Sequence, residues 1–270
     1  ASWIDFGFFQ LQPAELAKII IGVGLARWLY VNRGQINSWR NLALTFIYAG
    51  LPAGLVFFEP DLGSATILMS IWFGLILISP IRRVYIIILL AIAIAVAGIG
   101  WQFVLRDYQK QRVEVFINPD LDPQGGGYNV RQAMIAVGSG QWFGRGLGQG
   151  VQSGLQFLPE KHTDFVFAAA SEEIGLVGSF SILSLYVILL SRLIFIMKNS
   201  RDDLAMYITG GVLFMIASQA TINIGMNVGL LPVTGIPLPL LTAGGSSMLV
   251  TAIALGVVQN VAKQSKALKF

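Results

Sequence analysis

Long apolar runs constrain this chain most, because an α-helix needs about 20 apolar residues to cross a bilayer. Only 12% of the 270 residues are charged and 55% are hydrophobic, whereas a soluble domain carries about 25% charged residues. We therefore predict an all-α polytopic membrane protein with a single membrane domain over 1–270. Seven apolar runs predict transmembrane helices at 13–30, 41–58, 62–80, 84–104, 165–195, 204–222 and 238–261.

Basic residues mark every second connection and the C-terminal tail, which predicts the orientation. By the positive-inside rule this face is cytoplasmic, so the C-terminus lies inside and the first residues lie outside. The net charge of +4 is explained in this way and does not indicate a nucleic-acid partner. Because cysteine is absent, disulfides and thiolate metal sites are excluded. The marking residues are Arg27, Arg33, Arg40, Arg82, Arg83, Arg192, Lys198, Arg201, Lys263, Lys266 and Lys269.

One long connection, residues 105–164, lies on the opposite, extracytoplasmic face. Its alternating aliphatic and aromatic residues predict a folded cap with short amphipathic helices. The connection ends with His162, the only histidine, and Asp164, where loop becomes helix. Asp164 is interpreted either as a helix cap or as a general base at the edge of the membrane.

Seven glycines fall within residues 138–154. The run has no GxGxxG pattern and no Walker lysine follows it, so we predict no nucleotide cofactor. It is either a tightly turning connection or backbone that approaches a phosphorylated ligand, with Arg145 as an anion partner.

Charged residues inside or beside the apolar runs are further candidates, because charges within a membrane suggest function. Glu15 and Lys18 are spaced i and i+3 and so share one face of a helix. They form either an ion pair or part of the lining of a cavity for a lipid head group. Asp61 is either a helix cap or a ligand for a cation or substrate. Glu172 and Glu173 lie deeper and are predicted to line a polar cavity.

The proline- and glycine-rich stretch 223–247 predicts broken backbone at membrane depth. It forms either a re-entrant hairpin that shapes a cavity or a plain proline-kinked loop.

Several ordered blocks resemble the shape, elongation, division and sporulation family, which comprises RodA, FtsW and their sporulation relatives. "YQKQR" (108–112) and "FLPEKHTD" (157–164) are most similar to RodA, and Thr242 stands where the family signature usually has serine. The family has about ten spans, so the resemblance implies that about three N-terminal helices are absent. The blocks are Trp3-Ile4-Asp5, "QPAELAK" (12–18), "EPDLGSA" (59–65), "DPQGGGYNVRQAMIAVGSG" (122–140), "LPEKHTDFVFA" (158–168) and "LLPVTGIPLPLLTAGGSS" (230–247).

The resemblance implies a peptidoglycan glycosyltransferase that polymerises lipid II on the outer face of the bacterial cytoplasmic membrane. Its implied partners are a class B penicillin-binding protein and the elongation machinery that maintains rod shape. The family's essential aspartate falls on Asp164, which would deprotonate the acceptor's 4-hydroxyl. A divalent cation, Mg²⁺ or Mn²⁺, is one candidate for neutralising the leaving diphosphate. The predicted substrate-binding residues are Trp3, Glu15, Lys18, Asp61, Arg112, Arg145, Lys161 and His162.

Two alternatives remain open at this point. A flippase for the lipid-linked precursor would need a polar path to both faces of the membrane. A scaffold that activates a transpeptidase would need no catalytic carboxylate.

Overall fold

The computed structural model describes residues 3–5, 7, 10–103, 107–154, 157–158 and 162–265. A short hairpin comes first, in which β1 (Ile4–Asp5) pairs antiparallel with β2 (Gln10–Leu11). Gly7 turns the chain with a φ of +85°, and its N–H donates to Asp5 Oδ1 at 2.7 Å. The apolar pattern did not predict this hairpin.

Helices make up the rest of the regular structure. All seven predicted spans are helical, in α1–α4 and α8–α10, which confirms the all-α fold. Three further helices, α5–α7, lie in the long connection, which confirms its predicted helical content. The helices are α1 (Pro13–Val31), α2 (Trp39–Phe58), α3 (Leu62–Ile78), α4 (Arg83–Phe103), α5 (Asp107–Ile117), α6 (Gly126–Ser139), α7 (Val151–Gly154), α8 (Val166–Lys198), α9 (Asp203–Asn227) and α10 (Gly245–Gln264).

Four helices, α2, α8, α9 and α10, are long and apolar enough to cross a membrane. Helix α3 and residues Arg83–Val96 of α4 are apolar but shorter. Helix α1 carries three charged residues, Glu15, Lys18 and Arg27. Because of these charges it is not among the described helices that are apolar enough to cross a membrane.

The predicted start of the last span at 238 is wrong, because α10 begins at Gly245. Leu240 has a φ of +67°, which an α-helix cannot accommodate. Residues 228–244 are therefore irregular, as the broken-backbone prediction required. Their re-entrant path stays a prediction.

The chain packs as two compact units, and the first contains Ala1–Arg82, Tyr186–Ala220 and Ala243–Phe270. Within this unit α3 is nearly enclosed, with Leu68, Ile71 and Leu75 fully buried. The indole N–H of buried Trp72 donates to Thr45 Oγ1 at 3.2 Å. This bond ties α3 to α2, because a buried indole N–H requires an acceptor.

The second unit contains Arg83–Leu185 and Thr221–Thr242. Its described core is a small cluster in which Ala133 and Ala136 of α6 pack with Phe165 and Ala168 at the start of α8. The alanines present a flat face, so α6 approaches the first turn of α8 closely. The end of the long connection is fixed in this way against the beginning of a span.

Candidate active site

Asp164 lies in the turn that leads into α8, two residues before the helix begins, and its side chain is half-buried. Its neighbour Phe165 is almost fully buried in the cluster with α6, while His162 is exposed. The chain therefore anchors one side of Asp164 in a core and leaves the other side near solvent.

Two buried asparagines of α9 hold the main chain at Asp164. Asn223 Nδ2 and Asn227 Nδ2 each donate to the Asp164 carbonyl oxygen at 3.0 Å. Asn227 Oδ1 accepts the N–H of Ala168 at 3.0 Å, so it satisfies one of the open amides in the first turn of α8. Both asparagine side chains are 0% exposed. The position of Asp164 is thus set by α9 rather than by local sequence.

The irregular segment 228–244 closes around the same turn. Thr242 Oγ1 donates to the Thr163 carbonyl at 3.1 Å and accepts the N–H of Leu238 at 2.8 Å. Since these bonds use only the hydroxyl, the serine usual in the family would supply the same contacts. Gly235 has a φ of +72°, and a Cβ built on it would lie 3.5 Å from Asp164 Oδ2. Its backbone therefore forms one wall beside the carboxylate.

Helix α8 is broken at Gly175, where φ is +67° and ψ is −167°. The glycine-rich loop fills this break with its backbone. Arg145 N and Gly146 N donate to the carbonyls of Glu172 and Glu173 at 3.0 Å each. In the other direction, the N–H groups of residues 176 and 177 donate to the carbonyls of residues 141 and 142 at 2.7 and 3.1 Å. The helix and loop thus exchange the hydrogen bonds that each would otherwise lack.

The glycines of the loop are required by this close contact. A Cβ on Gly140 would lie 2.0 Å from the Ser171 carbonyl oxygen, and one on Gly144 would lie 2.1 Å from that of Glu173. The tightly turning interpretation is therefore confirmed. Approach of this backbone to a phosphorylated ligand stays a prediction.

Glu172 is fully buried, and its carboxylate anchors α7. Oε1 accepts the N–H of Gln152 at 2.8 Å and Oε2 accepts that of Ser153 at 2.9 Å. These are charge-assisted hydrogen bonds, which are stronger than neutral ones. The geometry therefore gives Glu172 a structural function, while cavity lining by Glu172 and Glu173 stays a prediction.

Arg145, the predicted anion partner, and Arg112, a predicted substrate-binding residue, occupy different environments within the second unit. Arg145 Nε donates to the Ser139 carbonyl at 3.3 Å, at the end of α6. Arg112 lines a cavity of about 240 Å³ together with Asp122 and Val233. Val233 also packs against the cluster that contains Phe165, so this cavity borders the segment that encloses Asp164. Binding of an anionic ligand by Arg145 or Arg112 stays a prediction.

The predicted site residues of α1 form a buried ion pair in the first unit. Lys18 Nζ lies 2.6 Å from Glu15 Oε1, and both residues are at most 2% exposed. The cavity beside Lys18 has a volume of only about 10 Å³, which is space for roughly one water molecule. The ion-pair interpretation is confirmed, and a function of either residue in substrate binding stays a prediction.

Asp61 and Trp3 also lie in the first unit. Asp61 Oδ1 accepts the N–H of Ser64 at 2.9 Å and caps α3, while Oδ2 accepts Gln12 Nε2 at 3.2 Å. The predicted cap is therefore confirmed. Trp3 precedes β1 and half of its surface is exposed, and its function in substrate binding stays a prediction.

Lys161 lies outside the described residues. Within the described ranges, no three His, Asp or Glu side chains are close enough to form a metal site. Mg²⁺ commonly takes one or two carboxylates and completes its shell with phosphate oxygens and water. Asp164 fits that arrangement as a single ligand, so the divalent cation stays a prediction.

Asn223 and Asn227 were missed by the sequence analysis. Their signal was present, because two amides spaced i and i+4 directly follow the predicted span 204–222, and buried polar groups are costly unless they are hydrogen-bonded.

Comparison with known proteins identifies the family to which this fold and site belong. The chain is 36% identical to the peptidoglycan glycosyltransferase MrdB of Escherichia coli (strain K12), over 98% of this chain and 72% of MrdB. A structure of a peptidoglycan synthase complex, on the coordination of polymerization and crosslinking, superposes with a TM-score of 0.80 at 30% identity, over 97% of this chain and 73% of that chain. The rod shape determining protein RodA of Thermus thermophilus superposes with a TM-score of 0.65 at 27% identity, over 98% and 70% of the two chains. A family model for cell cycle proteins, covering FtsW, RodA and SpoVE, matches residues 1–267, and this chain belongs to that family.

Proposed function

We propose that this chain, a peptidoglycan glycosyltransferase like its relatives, polymerises lipid II with Asp164 as the general base. The acceptor's 4-hydroxyl gives its proton to the Asp164 carboxylate as its oxygen attacks the anomeric carbon of the donor. The bond from that carbon to the diphosphate oxygen breaks, and undecaprenyl diphosphate leaves with the bonding electrons. One glycosidic bond forms for each glycosyl–phosphate bond broken, and the proton is later released from Asp164 to water.

The observation that carries this proposal is the fixed placement of Asp164 at the end of a span. A general base must lie within hydrogen-bond reach of the proton that it removes, and the two asparagines fix the main chain from which the carboxylate extends. A half-buried carboxylate at this position can meet a sugar in water while the lipid tail of the same substrate stays in the bilayer.

Charge on the leaving diphosphate must also be balanced in the transition state. Arg112 is the described cation that lines a cavity next to the Asp164 segment, so we assign it this function first. A divalent cation, if bound, would neutralise the same oxygens, with Asp164 as a ligand from this chain.

The partner and orientation belong to the same proposal. The chain is a multi-pass membrane protein of a bacterial family, and the similar chain in a peptidoglycan synthase complex supports a class B penicillin-binding protein as partner. We place Asp164 on the extracytoplasmic face, in agreement with the distribution of basic residues, and we assign the activity to cell elongation.

Polymerisation of purified lipid II by the protein with its penicillin-binding protein tests this function. Asp164→Asn keeps the size of the side chain and removes the base, so glycan strands should disappear while thermal stability and partner binding stay unchanged. Asp202→Asn is the matched control, because Asp202 Oδ1 caps α9 by accepting the N–H of Ala205 at 2.8 Å and asparagine caps equally well.

Equal polymerisation by Asp164→Asn and wild type would refute the assignment of the base. A wild-type protein that moves lipid II across vesicles without polymerising it would support the flippase alternative. Normal crosslinking by the partner, with no polymerisation by this chain, would support the scaffold alternative.

A further inference from the structure

A cavity of about 630 Å³ opens beside the break in α8, within the second unit. Its walls come from the end of α6, the glycine-rich loop, both sides of the break and the residue after α9. Aromatic and aliphatic side chains dominate the lining, with Trp142, Phe167, Phe180 and Leu183 among them.

The serine hydroxyls on the wall are already satisfied within α8. Ser171 Oγ donates to the Phe167 carbonyl at 2.7 Å, and Ser179 Oγ donates to the Gly175 carbonyl at 2.8 Å. The two oxygens also lie 2.9 Å apart. Hydroxyls that bond back to their own helix present little polarity to a ligand. Gln141 is the other polar side chain of the described wall, so the cavity suits an apolar chain rather than a head group.

Two apolar side chains of the cavity wall are exposed on the surface of α8. Leu176 and Phe180 lie on the exposed face of α8, and Phe180 is 67% exposed. Because α8 is long and apolar enough to cross a membrane, exposed apolar side chains such as these favour hydrocarbon over water. Water that entered such a cavity would find few hydrogen-bond partners.

The volume indicates how much chain fits. The cavity has room for several five-carbon isoprene units, because its volume is many times the ~30 Å³ that one water molecule occupies in the liquid. A complete polyprenyl tail would therefore extend from the mouth into the bilayer.

We propose that this cavity binds the first isoprene units of the polyprenyl chain of the lipid-linked substrate. The inference rests on the proposed function, because it follows from nearness to Asp164. Phe167 on the cavity wall comes three residues after Asp164. Val228, on another part of the wall, directly follows Asn227, which bonds the Asp164 carbonyl. A polyprenyl chain whose diphosphate lies near Asp164 would enter this cavity with its nearest isoprene units. A phospholipid has no diphosphate that would bring its acyl chain to this position.

Gly138 offers a way to fill the cavity without distorting the fold. It lines the cavity near the end of α6, and a Cβ built on it would have no heavy atom within 4 Å. Gly138→Leu therefore adds four carbons to the space, and leucine favours a helix more than glycine does. Gly54→Leu is the matched control, because Gly54 is also helical, in α2, and its Cβ would likewise meet nothing within 4 Å.

Photo-crosslinking tests the site by binding alone. The probe is a polyprenyl diphosphate with a photoactivatable diazirine on the isoprene unit next to the diphosphate. The full chain with its partner, in vesicles of phosphatidylglycerol and phosphatidylethanolamine, should be labelled at Trp142, Phe167 or Phe180. Labelling should fall at least about tenfold in Gly138→Leu, because the added side chain displaces roughly one isoprene unit from the cavity. It should stay unchanged in Gly54→Leu.

Three results would overturn the inference: labelling outside the cavity, equal labelling of Gly138→Leu and wild type, or stronger labelling of the cavity by phosphatidylglycerol with a diazirine on its acyl chain. The last result would identify the occupant as a membrane phospholipid. Because labelling needs no turnover, the two proposals fail separately. Cavity labelling with no polymerisation would refute only the proposed function, and polymerisation with labelling elsewhere would refute only the cavity.

Discussion

Asn227→Ala is the substitution whose effect follows most directly from the geometry. The asparagine makes two kinds of contact, since Nδ2 donates to the Asp164 carbonyl and Oδ1 accepts the N–H of Ala168, both at 3.0 Å. Alanine removes both. The Asp164 carbonyl keeps its bond from Asn223, whereas the Ala168 N–H loses the acceptor that α9 supplies.

The expected cost has two parts. A buried N–H left without a partner costs about 1–3 kcal/mol, so the free energy of unfolding should fall by about 2 kcal/mol. The turn that carries Asp164 also loses one of the two hydrogen bonds that hold its carbonyl to α9. If the carboxylate shifts by about 1 Å, activity can fall by about 100-fold. Polymerisation should therefore decrease by much more than the loss of folded protein explains.

Thermal unfolding and lipid II polymerisation, measured on the same preparations, separate the two parts. Asn227→Asp keeps an acceptor for Ala168 N but places a carboxylate oxygen against the Asp164 carbonyl, so activity should fall further than with alanine. Gln219→Ala is the control for removing a buried amide from α9, because its Oε1 has no hydrogen-bond partner among the described residues. It should lower stability moderately and leave polymerisation per folded molecule unchanged.

The reasoning is refuted if Asn227→Ala polymerises lipid II at the wild-type rate per folded molecule. It is also refuted if Asn227→Ala and Gln219→Ala reduce activity equally, because the effect would then come from general loosening of α9.

Three further substitutions test other contacts. Glu172→Gln turns an NH₂ group toward a backbone N–H and should cost about 1.5–3 kcal/mol of stability; unchanged thermal unfolding with lost polymerisation would instead favour the predicted cavity-lining function. Gly175→Ala should cost at least about 3 kcal/mol, because its backbone conformation is essentially limited to glycine and its Cβ would lie 2.2 Å from Gly144 N, so size-exclusion chromatography should show little folded protein. Thr242→Val should lower the unfolding temperature and the activity by removing two hydrogen bonds, while Thr242→Ser should behave as wild type in both assays.

The spans could be predicted because their signal is local. Each apolar run is long enough to report a helix without knowledge of its neighbours, so α1–α4 and α8–α10 were found. The start of α10 was misplaced because Leu238, Leu240 and Leu241 continue the apolar pattern on both sides of Pro239. A hydropathy pattern carries no information about backbone dihedral angles, so it does not show that Leu240 has a positive φ.

The surroundings of Asp164 could not be predicted in the same way. Its main-chain partners, Asn223 and Asn227, are 59 and 63 residues away in sequence. Nothing in an apolar run with two asparagines specifies which carbonyl they bond. The family resemblance identified the aspartate, but the contacts that hold it required the three-dimensional structure.

The break in α8 places the contacts of Asp164 and the wall of the apolar cavity on one short helical segment. Residues 166–174 form a short helical segment that is fixed at both ends, by Asn227 at its first turn and by the glycine-rich loop at Gly175. Asp164 extends from one end of this segment, and Phe167 and Ser171 on the same segment line the apolar cavity. A segment held at both ends moves as one piece, so the distance between the carboxylate and the cavity is set by a single rigid element. Under the two proposals above, this element would hold the lipid tail in the cavity and present the attached sugar to Asp164 at constant spacing.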